Sequence, residues 1–247
     1  MSENEILFSN DAFGQHLCLS ERFSNEISED LLMEQAKKFY ANLVTPSSTM
    51  VLNKLKELVE TGLVNQVKVI APSHGQIWTD PSLIINAYQD WASGVFKNKI
   101  TFIYDTMHHS TEKMAYAMIE GVLSEDVKVK AYFLHADERS AIVTDVLDSK
   151  AVCIGSPTMM NNPFPSLGDL IYYFNCLSFS KVGKTKKAVV FGSKGWSGGS
   201  NKKLATDLEQ AGFEIFEQFD TTNVPSDDVL NQCYDLGKKL AKSIKSE

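Results

Sequence analysis

From Lys99 to the end, the chain alternates short β-branched or apolar runs with segments of helical period, and it does so five times. Nothing else in the sequence constrains the fold as strongly, because a strand, a crossover helix and a second strand in one sheet leave the two strands parallel. The strand runs are KITFIYD (99–105), VKVKAYFL (127–134), KAVCIGS (150–156), KKAVVFGS (186–193) and FEIFEQF (213–219). Helices are expected from about Thr111, Glu138, Pro165, Gly199 and Ser226, the last opened by the capping run Pro225-Ser226-Asp227-Asp228. The expected fold class is α/β, with a doubly wound, five-stranded parallel sheet of order 2-1-3-4-5.

The first 97 residues have a different rhythm. Helices are expected at about 28–43 and 46–62, with a buried strand at QVKVIA (66–71) and a short strand at EILFS (5–9). A third helix runs from Pro81 to Ser93, capped by Asp80 and ended by Gly94 in the left-handed conformation. Two strands and three amphipathic helices are too few to cover both faces of a sheet. Residues 1–97 therefore read as part of a larger domain and 98–247 as a complete one, with GVFKNK (94–99) between them.

Composition narrows the partners. With 43% hydrophobic and 22% charged residues and a mean hydropathy of -0.16, the chain is globular in type. Thirty-one acidic against 24 basic residues give a net charge of -7, so the basic footprint of a nucleic-acid binder is missing. No stretch approaches the ~20 apolar residues of a membrane span. The start, MSENEILF, lacks the basic end and apolar run of a signal peptide, so a cytoplasmic protein with no membrane partner is expected. Cys18, Cys153, Cys176 and Cys233 lie far apart and read as reduced core residues.

Three loops carry the candidate chemistry. The first strand of the wound region ends in Asp105-Thr106-Met107-His108-His109-Ser110-Thr111 and runs straight into a helix. Helix N-termini attract anions through unpaired N–H groups and the helix dipole, and Thr106, Ser110 and Thr111 add hydroxyl donors for one terminal phosphate. The turn lacks G-x-G-x-x-G and G-K-[ST], so neither a Rossmann dinucleotide site nor a P-loop fits; a plain capped helix is the competing reading. The third strand leads into a loop offering Pro157, Thr158, Met159, Asn161 and Asn162. The fourth leads into Ser193, Lys194, Gly195, Trp196, Ser197, Gly198 and Gly199, where glycines permit close approach and Trp196 offers a flat surface. Each loop alone reads as a surface connection. Together, a phosphate turn, an amide-rich loop and a Gly-Trp loop at one sheet edge specify a ring-bearing mononucleotide, and FMN fits best.

The run FIYDTMHHSTEKMAYAM resembles the flavodoxin FMN fingerprint, with Thr106 and Thr111 at its hydroxyl positions and His109 where a small residue is usual. YDTM..ST, GSPT and FGS.GWSGG together resemble the flavodoxin-like domain of flavodiiron proteins. His108-His109 and PFPSLGDLIYYF are similar to the methanogen branch, the oxidases of the reduced deazaflavin coenzyme. Upstream, LFSNDAFG (7–14) and APSHG.IW (71–78) are similar to the last part of that family's metallo-β-lactamase-like αββα domain.

The resemblance implies electron flow from a reduced deazaflavin coenzyme or a rubredoxin-like donor through FMN to a diiron centre, where dioxygen becomes water or nitric oxide becomes nitrous oxide. It also implies a head-to-tail homodimer. By the same resemblance Asp11 falls on the bridging carboxylate and His74 on the last histidine ligand of the diiron site. The family's H-x-E-x-D-H ligands and its further histidine would lie before Met1, and no H-x-E-x-D-H occurs in the 247 residues. One carboxylate and one imidazole are too few for two irons, so a metal centre here requires ligands from a separate chain carrying the missing half. The alternatives are a non-catalytic interaction subunit with a vestigial flavin pocket, or a truncated remnant without diiron activity.

Overall fold

The structure, a computed structural model, describes residues 5–179 and 183–246. These form two compact units, residues 5–95 with 183 and 184, and residues 96–179 with 185–246.

In the first unit, β1 (Ile6–Asn10) and β2 (Val69–Pro72) pair in parallel, with Leu7 opposite Ile70. Three helices accompany them: α1 (Glu29–Phe39), α2 (Ser48–Glu60) and α3 (Pro81–Ser93). The helix expected over 28–43 stops being α-helical at Phe39. Thr45 donates its N–H to Tyr40 across a wide turn and its hydroxyl to the Ala41 carbonyl at 2.9 Å, and Pro46 has no N–H with which to resume the ladder. Helix α3 begins and ends as its sequence requires, with Asp80 accepting from the Ser82 N–H at 3.1 Å and Gly94 at φ 73°. The core is aromatic: Trp78, Tyr40 and Tyr88 are fully buried. Their polar ends are satisfied, since the Trp78 indole donates to the Phe13 carbonyl at 2.7 Å and the Phe13 N–H donates to the Tyr88 hydroxyl at 2.8 Å.

In the second unit, β3 (Lys97–Tyr104), β4 (Lys128–Phe133), β5 (Ser149–Gly155), β6 (Lys186–Lys194) and β7 (Phe213–Thr222) form one parallel sheet in the order β4-β3-β5-β6-β7. This is the 2-1-3-4-5 order expected from the sequence. The connecting helices are α4 (Ser110–Leu123), α5 (Arg139–Leu147), α6 (Pro165–Leu177), α7 (Ser200–Gln210) and α8 (Asp227–Lys245). Strand β7 runs three residues past its expected end because its pairing with β6 continues as far as Lys194 opposite Thr222.

Alternate residues of the strands serve the two faces. Ile100, Phe102 and Tyr104 of β3 join Met114, Met118, Val122, Cys233, Leu240 and Ile244 in the core under α4 and α8. Ile103, Val152, Ile154 and Val190 are buried as well, as are Val143, Leu167, Phe174 and Leu204 on α5, α6 and α7. With both faces covered, the strands carry continuous apolar runs rather than a strict alternation. Two cysteines depart from expectation: Cys153 and Cys233 are buried, but Cys18 and Cys176 are exposed. Cys176 follows Tyr172 by one helical repeat of α6, and Tyr172 is 73% exposed, so both lie on the outward stripe. Among the described residues, no helix is long and apolar enough to cross a membrane.

Helices α4 and α8 approach so closely that only glycine fits at two points. A Cβ on Gly121 would lie 2.0 Å from the Tyr234 carbonyl oxygen, and one on Gly237 would lie 2.1 Å from that of Met118. Gly168, in α6, has nothing within 4 Å of such an atom. Gly237→Ala is therefore expected to destabilise the protein by ~1–3 kcal/mol through overpacking. Gly168→Ala should stabilise it by ~0.5–1 kcal/mol through lower chain entropy. Urea unfolding midpoints of the two variants check both signs.

Candidate functional site

Strand β3 lies between β4 and β5, and the chain leaves β3 for α4 on one face and β5 for α6 on the other. A crevice opens where such connections diverge. At its base the Asp105 N–H donates to the Gly155 carbonyl at 3.1 Å, and the Leu134 N–H donates to that of Tyr104 at 3.0 Å. Burial, followed by a hydrogen bond with Tyr116, raises the Tyr104 phenol well above its ordinary pKa.

The turn from Thr106 to His109 delivers the chain into α4. His109 sits at the N-cap with φ 60°, a left-handed conformation uncommon outside glycine but one that histidine, like asparagine and aspartate, adopts more readily than most residues. Its imidazole Nδ1 pairs with the Glu112 carboxylate at 2.6 Å, which fastens it to the first turn of its own helix. The Thr106 and Thr111 hydroxyls are buried without a partner among the described residues. A buried hydroxyl left unpaired costs ~1–3 kcal/mol, so two of them, one before α4 and one in its first turn, mark a place where a partner is missing.

The other two loops are stitched to one another. Gly192 lets β6 pass beneath the second loop: a Cβ there would sit 1.8 Å from the Ser156 carbonyl oxygen. The Thr158 N–H donates to Ser193 at 2.8 Å. Ser197 donates to the Asn161 side chain at 2.6 Å, and Lys203 to that of Asn162 at 2.9 Å. Gly199, at φ 128°, would bring a Cβ to 2.6 Å from the Asn161 carbonyl.

A cavity of about 530 Å³ opens between these loops. Met107, His108 and Ser110 line it from the first loop, and Pro157, Thr158, Met159 and Asn161 from the second. Ser193, Lys194, Gly195, Trp196 and Gly198 complete it from the third. Trp196 is 79% exposed, leaving a ring face free for stacking. Ser197 and Gly199 instead line a neighbouring polar cavity of about 430 Å³, which shares Lys194 and Gly198 with the first. Asn162 lines neither; its amide is spent on Lys203 and the Met160 carbonyl. The sequence reading missed Met160, Asn223 and Val224, which also border the main cavity. The last two follow the fifth strand, whose carboxyl end shares this sheet edge, and that topological signal was available to find them.

In the first unit, Asp11 and His74 come together: His74 Nε2 lies 3.2 Å from Asp11 Oδ1, which also accepts from the Ser73 hydroxyl at 3.0 Å. His16 stands edge-on to His74, with ring centroids 5.5 Å apart. Among the described residues there is no group of three or more His, Cys, Asp or Glu placed to hold a metal. Two ligands do not fit a diiron centre.

The crevice, the hydroxyl turn and the parallel order define a nucleotide-binding doubly wound domain, and a sequence model of the flavodoxin family matches residues 102–237. The chain belongs to the flavodoxin family. Its likeness to flavodiiron proteins runs over nearly its full length. It is 53% identical to the coenzyme F420H(2) oxidase of Methanocaldococcus jannaschii, across 99% of this chain and 59% of that one. It superposes with TM-score 0.93 and 33% identity on rubredoxin oxygen:oxidoreductase of Desulfovibrio gigas, covering 99% of this chain and 60% of that one. The flavodiiron protein of Giardia intestinalis follows with TM-score 0.89 and 26% identity, covering 99% and 59%. The chain thus spans about three fifths of the length of the relatives it matches.

The residues present fit FMN, because the two orphaned hydroxyls lie on the turn where its phosphate would be accepted and the cavity beside them offers a ring surface. Replacing Thr106 and Thr111 together by Ala should have effects of opposite sign. The ligand-free protein becomes more stable as two unpaired buried hydroxyls disappear. FMN affinity falls, each lost bond to a charged phosphate contributing ~1.5–3 kcal/mol. Thermal unfolding and titration calorimetry read the two effects, and unchanged affinity would place the phosphate elsewhere.

Proposed function

We propose that this chain is an FMN-binding electron-transfer flavoprotein and forms part of a flavodiiron oxidase. The observation that carries the reading is the pair of buried, partnerless hydroxyls at Thr106 and Thr111, next to the crevice of a 2-1-3-4-5 sheet. Bound FMN supplies one- and two-electron transfer. Ser110, Thr106 and Thr111, with the N-terminus of α4, would hold the phosphate by hydroxyl and backbone donors. Residues 157–161 would present backbone and side-chain polar groups to the ring edge, and Trp196 would offer its exposed face for stacking.

In the whole assembly, electrons come from a reduced deazaflavin coenzyme or a rubredoxin-like protein and leave to a diiron site that reduces dioxygen to water or nitric oxide to nitrous oxide. The ligands that Asp11 and His74 lack come from a further polypeptide segment or a separate chain. A head-to-tail homodimer brings flavin and metal together, in the cytoplasm. A second reading, a non-catalytic interaction subunit, draws support from the large apolar side chains left exposed on the first unit, Phe8, Met50 and Val59.

Extraction of the bound flavin followed by chromatography tests the proposal. About one FMN per chain is expected, with no retained FAD, because the turn has donors for one terminal phosphate; a colourless protein that FMN cannot reconstitute would sink it. Iron analysis of the same 247-residue chain should give no tightly held pair. Two irons per chain would mean that ligands beyond Asp11 and His74 complete a site.

A further inference from the structure

Asp105 is a carboxylate with no evident business in a core: it is only 3% exposed and sits one residue before the phosphate turn. Burying a carboxylate is costly unless hydrogen bonds replace its water. Both of its oxygens are engaged. Oδ1 accepts the Thr106 N–H at 2.7 Å, and Oδ2 accepts the hydroxyl of Ser166 at 2.5 Å. Ser166 lies in the first turn of α6, so the carboxylate also meets the positive end of that helix.

The same lead-in to α6 holds the second loop. The Phe164 N–H donates to the Ser156 hydroxyl at 2.9 Å, and that hydroxyl donates to the Pro157 carbonyl at 2.9 Å. Residues 164–166 therefore fasten the turn after β3 and the loop after β5 to one rigid helix end. The direction of the Asp105–Thr106 bond matters for a ligand. Taking the Thr106 N–H fixes that peptide plane at the start of the turn and removes this backbone donor from any ligand.

We propose that Asp105 and Ser166 are positioning residues for phosphate recognition: their hydrogen-bonded clasp sets the 106–111 turn in the shape that receives the terminal phosphate of the flavin nucleotide. The proposal rests on the FMN reading above, and it assigns a role to two residues to which the sequence patterns gave none. Neither residue lines the cavity. Each acts through the turn, so the clasp contributes to binding only where a phosphate is present to be gripped.

Riboflavin, which has the ring and ribityl chain of FMN but no phosphate, separates the clasp from general damage. Dissociation constants of FMN and riboflavin are measured for the full chain and for the Asp105→Ala, Ser166→Ala and Asp105→Asn variants, with circular dichroism and urea midpoints as controls for folding. Asp105→Ala and Ser166→Ala are expected to raise the FMN constant about tenfold or more while leaving that of riboflavin unchanged. Asp105→Asn keeps an acceptor for the Thr106 N–H and an amide that can donate to Ser166, so it should remain within about threefold of the parent. Equal losses for both flavins would overturn the proposal by making Asp105 a general structural group, and so would an unchanged FMN constant in Ser166→Ala, the milder variant, even if Asp105→Ala fails to fold. A parent chain with no preference for FMN over riboflavin would instead defeat the phosphate reading itself, and the clasp with it.

Discussion

Everything at the ligand-bearing edge depends on β3 being hydrogen-bonded along both flanks. Its residues 99–104 stand in unbroken register with 128–133 of β4, and residues 100–104 with 151–155 of β5. In a parallel sheet this fixes all the carboxyl ends at one level, so the three loops emerge side by side although they are separated by tens of residues in sequence. Slipping β3 by one residue would reverse every side chain on the strand, exchanging Phe102 for Ile103 beneath α4 and α8. The large buried residues on both faces forbid that exchange. Packing in the core thus holds the geometry of a site that contains almost none of the core's residues.

That site is polar where it is structural and apolar where it is open. Ser156, Asn161, Asn162, Ser197 and Lys203 spend their hydrogen bonds on one another or on the loop backbone. The cavity wall exposes Met107, Met159, Met160, Trp196 and Val224. Such a division suits a ligand with a flat ring and one charged end. The loops are held in shape before binding, which lowers the ordering cost of association. Three hydroxyls at this edge depart from that rule, those of Thr106 and Thr111 at the start of α4 and that of Ser200 at the start of α7, each buried without a partner among the described residues.

The first unit follows another logic. A two-stranded sheet cannot bury helices on both faces, and its centre is built instead from interlocking rings, with Tyr40, Tyr88 and Trp91 meeting at centroid distances between 4.8 and 5.7 Å. Each buried polar end in that cluster finds a partner: Tyr40 bonds Ser48 at 2.9 Å, and burial pushes its phenol up to about 12. The helices and strands here were legible from caps and apolar runs. The aromatic core was not, because rings from residues 13, 40, 88 and 91 meet only after the chain has folded.

The sequence by itself determined the order of strands and helices, the parallel sheet and which loops would meet at one sheet edge, because hydrophobic period, caps and turn residues are local properties that each short segment carries within it. It also marked Thr106 and Thr111, hydroxyls at a helix start being a local signal. Which hydroxyls stay unpaired was decided by the tertiary structure. So was the commitment of Asn162 to Lys203 and of His109 to Glu112, the inclusion of Asn223 and Val224 at the cavity edge, and the clasp of Asp105 on Ser166. These depend on which donors lie within 3 Å of which acceptors, and for residues 61 positions apart, as Asp105 and Ser166 are, that distance exists only once the sheet has set the spacing of its loops.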